Sequence, residues 1–201
     1  MRKKSVLYVG LVTLVVLAMT ACAKPPEELI KATGEALNSA KSAQADLYAG
    51  DALAKAQGLM NEADAMKKVQ DEKFALLRSY KEVEAKLNEA KAAFEAAKAA
   101  AIEGKAQKKA EAETKIQEAT AALDAADLAL KGAPKSKDTK ADLEMMTNDI
   151  ATYRQTLADA QNGLASEDYL GSISKADSVI QKANEISAMV QAAIDKVKGK
   201  K

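Results

Sequence analysis

The strongest constraint on the fold is a long run of apolar residues at alternating spacings of three and four. It begins with Leu76, Tyr80, Val83, Leu87, Ala90, Phe94, Ala97 and Ala101. The same alternation resumes at Ala112, Ile116, Ala119, Leu123, Ala126 and Leu130. This spacing keeps apolar side chains on one face of an α-helix and is typical of coiled coils. It predicts a single helix over residues 72–131.

The apolar pattern is interrupted at residues 103–111, which contain no large apolar side chain. The interval between Ala101 and Ala112 shifts the phase of the pattern by one four-residue stutter, which locally unwinds a supercoil. A glycine such as Gly104 costs a helix only about 1 kcal/mol relative to alanine. We therefore expect the helix to continue through Gly104 and to change its packing partners there.

Two shorter helices are predicted before the long one. The first follows Pro25-Pro26, has acidic residues in its first turn and ends near Gly50. The second has Asp51 as its N-cap and ends in a polar turn over residues 67–71. Their apolar stripes are Ile30, Thr33, Leu37, Ala40 and Leu47 in the first, and Ala52, Ala56, Leu59, Ala63 and Met66 in the second.

Two further helices are predicted after a loop at residues 132–137. A tight turn at residues 166–168 separates them. The fourth helix carries Leu143, Met146, Ile150, Tyr153, Leu157, Ala160 and Leu164. The fifth carries Tyr169, Ile173, Ala176, Ile180, Ala183, Ser187, Val190, Ile194 and Val197. Five methionines are interpreted as fillers of core gaps: Met60, Met66, Met145, Met146 and Met189.

Short turns between successive helices favour antiparallel neighbours. The predicted fold is therefore all-α: an elongated, spectrin-like antiparallel helical bundle of two three-helix layers that share the long helix. Residues 27–103 form the N-terminal layer, residues 104–198 the C-terminal layer and residues 199–201 a frayed tail. The core should be thin, because 44 of the 201 residues are alanine and only 3% are aromatic.

The composition argues against catalysis. The chain has no histidine, which removes the commonest general base and metal ligand. It has one cysteine, Cys22, so it can form neither an intrachain disulfide nor a cysteine-rich metal site. Glycine-rich phosphate loops and the G-x-S-x-G motif are also missing from the sequence. We expect a protein that is not an enzyme, with no catalytic residue, cofactor or metal.

The N-terminus has the pattern of an export signal. Arg2, Lys3 and Lys4 precede an apolar stretch at residues 6–19, which is shorter than the roughly 20 residues of a membrane span. Residues 1–21 are therefore predicted to be a signal peptide. Thr20 and Ala21 then precede the single cysteine, and this arrangement resembles the lipobox of bacterial lipoproteins. Met19 stands where leucine is usual.

The resemblance to lipoproteins implies a lipid attachment site at Cys22. Its thiol would receive a diacylglyceryl group and its new amino terminus an acyl chain such as palmitate, with residues 22–26 as a lipidated tether. Ala23 stands where aspartate would retain a lipoprotein at the inner membrane. The resemblance therefore implies the outer membrane, with the protein facing the periplasm. The alternative is an uncleaved signal anchor in which Cys22 is inert.

A second resemblance concerns the start of the second helix. Tyr48, Ala49, Leu53 and Ala56 are similar to a pattern in uncharacterised alanine-rich helical lipoproteins of Gram-negative bacteria. The resemblance covers about residues 27–101, and that family has no established activity to carry over. A weak internal echo of the segment follows at residues 164–176.

These observations favour a structural or adaptor lipoprotein of the cell envelope. One alternative is a chaperone-like or ligand-binding periplasmic protein. Another is a peptidoglycan-linking lipoprotein, because the chain ends in Lys200-Lys201. Nucleic acid is not expected as a partner, since removal of the signal leaves 27 basic against 29 acidic residues. Envelope proteins or peptidoglycan are possible partners, and the sequence leaves the oligomeric state open.

Overall fold

The protein is a helical bundle in the computed structural model, which describes residues 23–137 and 139–198. Within those residues there is no strand, and the predicted all-α helical bundle is confirmed. The elements are α1 (Glu27–Ser42), α2 (Ala45–Tyr48), α3 (Gly50–Asp71), a 3-10 turn (Ala75–Leu77), α4 (Lys81–Gly132), α5 (Lys140–Ala165) and α6 (Tyr169–Lys198). The predicted signal peptide, Cys22 and residues 199–201 lie outside the described residues.

Helix α4 is a continuous element of 52 residues that passes through Gly104, as its apolar pattern predicts. The chain nevertheless divides into two compact units, and the boundary falls inside this helix, between Gly104 and Lys105. From residue 102 to residue 111 no side chain is buried, although Ala101 and Ala112 on either side are fully buried. The helix thus loses its core contacts where the apolar pattern changes phase.

In the first unit α1 runs parallel to the first part of α4, and α3 runs antiparallel to it. The directions follow from two apolar clusters. The end cluster is Ala63, Tyr80, Val83 and Leu87, with Ala23, Leu29 and Ile30 packed against it. The central cluster is Ala40, Ala45, Leu53, Ala56, Ala90, Phe94, Ala97 and Ala101. Early α1 and late α3 therefore meet early α4, while late α1 and early α3 meet α4 nearer Ala101.

In the second unit ion pairs fix the register of the three helices. Arg154 of α5 pairs with Asp127 of α4 at 2.7 Å. On the other side of the bundle, the Lys105–Glu167 pair (2.7 Å) and the Lys115–Asp177 pair (3.1 Å) each join residues 62 positions apart. A constant separation means that α6 runs parallel to α4 in one register. The core contains Ile116, Ala119, Leu123, Ala126, Leu130, Ala133, Leu143, Met146, Ile150, Leu157, Ala160, Ala176, Val179, Ala183, Ile186 and Val190.

The prediction of one unbroken helix up to Gly50 is wrong. The chain leaves α1 after Ser42, and Gln44 takes the left-handed conformation at φ 60° before the single turn of α2. This break buries Ala45 completely but leaves Leu47 of the predicted stripe exposed. Asp51 is not an N-cap, because α3 already begins at Gly50; the aspartate lies in the first turn, where its charge favours the helix dipole.

The predicted start of the long helix is also wrong. Residues 67–71 complete α3 rather than forming a turn, and α4 begins only at Lys81. The intervening residues form a loop that contains the 3-10 turn, so Leu76 is exposed instead of lying in the core. The remaining predicted core residues of α4, from Tyr80 to Ala101 and from Ala112 to Leu130, are all buried.

The buried face of α6 is rotated slightly from the predicted one. Tyr169, Ala176, Ala183 and Val190 are buried as predicted, but Ser172, Val179, Ile186 and Ala193 complete the buried stripe. The predicted Ile173, Ile180, Ser187 and Ile194 flank that stripe and are half-buried. Among the methionines, Met146 is buried and Met60 and Met189 pack against the clusters. Met66 and Met145 are exposed, so they fill no core gap.

The predicted turn at residues 166–168 is confirmed, and its hydrogen bonds explain it. Glu167 is left-handed at φ 64°, and the amides of Glu167 and Asp168 bond back to the carbonyls of Leu164 and Gly163. This is the Schellman arrangement that ends many helices. The Asp168 carboxylate then accepts from the Gly171 amide at 3.0 Å and caps α6.

Candidate functional site

Three segments meet at one end of the first unit: residues 23–26, the last turn of α3, and the loop at residues 72–80. Ala23, which follows Cys22 directly, packs against the end cluster. Glu27 at the start of α1 lies close enough to Lys67 of α3 to contribute to the raised pKa of that ammonium group. Ala23 therefore lies beside the C-terminal end of α3 and the start of α4.

The residues between Cys22 and α1 are held against the bundle rather than forming a loose linker. Pro25 and Pro26 restrict the backbone, and their carbonyls accept from the amides of Glu27 (2.9 Å) and Ile30 (3.0 Å). A cleft of 660 Å³ lies beside this segment. It is lined by Lys24, Pro25, Pro26, Glu27, Glu28, Leu29, Glu84 and Asn88. Residues 23–26 of the predicted tether thus extend the first unit.

The loop at residues 72–80 is braced by polar side chains. The Arg78 guanidinium donates to the carbonyl oxygens of Asp71 at 2.7 Å and Lys73 at 2.9 Å. The amide of Ser79 donates to the Gln70 side-chain oxygen at 3.1 Å. Because these bonds tie the loop back to the end of α3, its backbone has a defined path.

A second set of bonds closes the base of the loop. The Tyr80 hydroxyl donates to one Asp71 oxygen at 2.5 Å, and the Lys67 ammonium donates to the other at 2.8 Å. The Lys67 hydrogen bond, followed by that of Tyr80, lowers the pKa of Asp71. The bond to Asp71 in turn raises the pKa values of Lys67 and Tyr80. Asp71 and Lys67 are therefore both charged at neutral pH.

Three large apolar side chains of the same loop are exposed. Phe74 is 71% exposed, Leu76 57% and Leu77 72%. We call these three residues the apolar tip. Val69 on the neighbouring turn of α3 is also exposed. The sequence predicts no such surface, because the spacing of Leu76 fits the buried pattern of α4 and the loop is not foreseen.

The second unit has a concave surface of its own. A cleft of 650 Å³ lies where α4 meets α5, and it combines two leucines with several lysines. Its lining is Asp127, Leu130, Lys131, Lys135, Ser136, Lys137, Lys140, Leu143, Glu144 and Thr147. Hydrogen bonds from Lys131 and, to a lesser extent, from Arg154 lower the pKa of the Asp127 carboxyl group. The lining is therefore apolar in part and basic in part.

Cys22, the predicted lipid attachment site, lies just outside the described residues, one position before Ala23. Across residues 23–137 and 139–198, no group of three or more Cys, Asp or Glu side chains could hold a metal ion. In the same ranges no helix has the length and hydropathy needed to cross a membrane.

Comparison of the chain with protein-family models, curated proteins and solved structures found no match.

Proposed function

We propose that the protein is a lipid-anchored helical protein of the outer membrane that faces the periplasm and acts as a structural or adaptor component of the cell envelope. The basic residues Arg2, Lys3 and Lys4, the apolar stretch 6–19 and the small residues before Cys22 support export followed by acylation. In this proposal the protein is not a catalyst.

One observation carries the proposal from sequence to geometry: Ala23 packs on the end cluster of the first unit. An acylated residue 22 would hold that end at the bilayer, because only one peptide bond separates it from a packed residue. A lipid anchor there would act on the folded unit directly, without a long linker between the two.

The lipid expected on Cys22 is sufficient for stable attachment. A single acyl chain binds a membrane only marginally, whereas two signals give stable anchoring. A diacylglyceryl group together with an N-linked acyl chain supplies three chains. The adaptor role needs a surface for a partner, and the leucine-and-lysine cleft at Lys131 and Lys140 is the proposed one.

The anchor is tested with Cys22→Ser in a diderm bacterium fed a labelled fatty acid. The variant should take up no label and should be recovered in the soluble periplasm. Ala21→Ser, which keeps a small residue before the cysteine, should be labelled like the wild type. Membrane retention of the Cys22→Ser protein after removal of residues 1–21 would contradict the lipid anchor.

The adaptor role is tested separately by crosslinking intact envelopes and purifying the protein with whatever is attached. We expect a protein partner, and its crosslinks should be lost in Lys131→Glu and Lys140→Glu variants. Recovery of a small hydrophobic molecule instead would favour the ligand-binding alternative. A muropeptide attached at Lys200 or Lys201 would favour linkage to peptidoglycan.

A further inference from the structure

We propose that the apolar tip inserts into the phospholipid bilayer surface beside the lipid on Cys22, as a second and non-covalent membrane contact. The inference rests on the proposed anchor, because the anchor brings this end of the first unit to the membrane. The occupant of the tip is thus the bilayer itself.

The loop is held by polar contacts while its large apolar side chains are exposed. Arg78 donates to the carbonyl oxygens of Asp71 and Lys73, and the Ser79 amide donates to Gln70. Phe74 and Leu77 stay exposed. The hydrogen bonds of the loop keep these side chains outside the core. Exposed apolar surface of this kind marks a site of contact with a membrane or a protein.

Part of the backbone of the loop has its hydrogen-bond partners within the protein. Polar backbone groups that enter a bilayer need partners within the protein. The amide of Leu77 donates to the carbonyl of Phe74 at 2.8 Å and closes the 3-10 turn. The carbonyls at the base of the loop bind Arg78. The loop can therefore present its side chains to lipid without leaving those groups unpaired.

The position of the tip favours a membrane over a soluble partner. Tyr80 ends the loop and belongs to the end cluster, and Ala23 packs against that same cluster. The proposed acyl chains and the apolar tip therefore leave the protein from the same end of the first unit. A second copy or a protein partner would not account for this coincidence.

Charge adds a modest attraction to an anionic surface. Residues 67–82 contain five basic and three acidic side chains. Arg78 donates its hydrogen bonds to carbonyl oxygens rather than to a carboxylate. Apolar side chains next to basic ones are typical of segments that lie in the membrane interface. Because the excess of charge is small, insertion should depend mainly on the apolar tip.

The chain has no tryptophan, so Phe74→Trp creates a unique fluorescent reporter at the tip. The full-length acylated protein is reconstituted into vesicles of phosphatidylcholine and phosphatidylglycerol with brominated acyl chains. The matched control is Leu128→Trp, at a residue of the second unit that is 74% exposed. We expect the tip tryptophan to shift to shorter wavelength and to be quenched by the bromines, and the control tryptophan to remain unquenched.

The possible results separate the tip from the anchor. An acylated protein whose tip tryptophan is quenched no more than the control would overturn the inserted tip and leave the anchor intact. If the mass of the protein shows no lipid on Cys22 and the tip tryptophan is not quenched, both the anchor and the inserted tip are wrong. If the tip tryptophan is still quenched at high lipid concentration, only the anchor is wrong. A concentration-dependent blue shift without vesicles would assign the tip to a second copy and contradict the proposal.

A second variant tests the same contact without a reporter. Replacing Phe74, Leu76 and Leu77 by serine should leave the helical content unchanged, since all three side chains are exposed. It should also speed the transfer of the acylated protein between vesicles. The matched control is Leu47→Ser, an exposed leucine on α2. Equal transfer rates for the two variants would count against insertion of the tip.

Discussion

The two units share one helix but use their apolar residues differently. The second unit has a single core in which ten residues larger than alanine are buried, including Leu123, Ile150 and Ile186. The first unit has two small clusters, and the larger of them contains six alanines beside Leu53 and Phe94. Because alanine buries little apolar area, the first unit gains less hydrophobic free energy on folding.

The exposed residues show the complementary difference. Among the residues that the structure describes, the large apolar side chains exposed in the first unit are Leu47, Met66, Val69, Phe74, Leu76, Leu77 and Ile102, against Leu128, Met145 and Leu170 in the second. The first unit is also interrupted twice, at Gln44 and at the loop before Lys81. The comparison indicates that the second unit has the larger margin of stability, while the first leaves more of its large apolar side chains exposed.

The largest expected effects come from truncating the two cores separately. Phe94→Ala should destabilise the first unit by about 3–5 kcal/mol, and Leu123→Ala the second by about 2–5 kcal/mol, from lost burial and the cavity left behind. Both side chains are fully buried. Urea unfolding followed by residue-specific amide NMR signals should show each loss confined to its own unit.

The matched control is Leu128→Ala, which removes an exposed side chain from the same helix. It should leave both transitions within about 0.5 kcal/mol of the wild type. If Phe94→Ala lowered the stability of α5 and α6 as much as that of α1 and α3, the protein would be one cooperative unit and the comparison would fail.

A smaller effect, of opposite sign at two glycines, tests the close packing of α4 against Tyr48 in the first unit. A Cβ atom added at Gly104 would lie 2.7 Å from the backbone oxygen of Tyr48. Gly104→Ala should therefore cost about 1–3 kcal/mol through overpacking, in spite of the better helix propensity of alanine. Gly58→Ala on α3, where nothing lies within 4 Å, should stabilise the same unit by about 0.5–1 kcal/mol. If both changes stabilised the first unit, the backbone oxygen of Tyr48 would not be in close contact with α4 at Gly104.

The smallest effect is a pH dependence from the base of the loop. Hydrogen bonds from Lys67 and Tyr80 lower the pKa of Asp71, so they stabilise the folded unit above the unfolded pKa of about 3.9. This stabilisation is lost as the pH falls through the lowered folded value. Asp71→Asn should destabilise the first unit at neutral pH, and the difference from wild type should shrink below about pH 4. Thermal unfolding from pH 2 to 8 measures it.

Glu72→Gln removes the neighbouring carboxylate and serves as the control. This variant should lose stability at acid pH to the same extent as the wild type. A stability difference between Asp71→Asn and wild type that stays constant down to pH 2 would mean that Asp71 contributes as a packed side chain rather than as a charge.

The core of α4 could be predicted because apolar spacing is a local property. Leu87, Phe94 and Leu123 are buried where the alternation of three and four places them. The face of α6 was harder, because neighbouring rows such as Val179 and Ile180 fit the same spacing. Ile180 of the predicted stripe is half-buried, and the adjacent Val179 is buried instead. Periodicity alone does not choose between two adjacent apolar rows.

Two features of the first unit could not be predicted, because specific contacts with backbone oxygens decide them. The loop depends on Arg78 reaching the carbonyl of Asp71, and the sequence gives no sign of that contact. The sequence indicates only that a helix tolerates Gly104. The close packing at this glycine involves the backbone oxygen of Tyr48, which is distant in the sequence. Lipid attachment at Cys22 follows from the sequence pattern alone and stays a prediction.

Hydrogen exchange along α4 tests most directly whether the two units are energetically separate. Residues 102–111 contain no buried side chain, so amides at 103–111 should exchange faster than those at 83–97 and 116–130. Amides at 83–97 should also exchange faster than those at 116–130, because the alanine-rich first unit has the smaller margin of stability. Uniform protection from residue 83 to residue 130 would mean one continuous cooperative core and would contradict the division into two units.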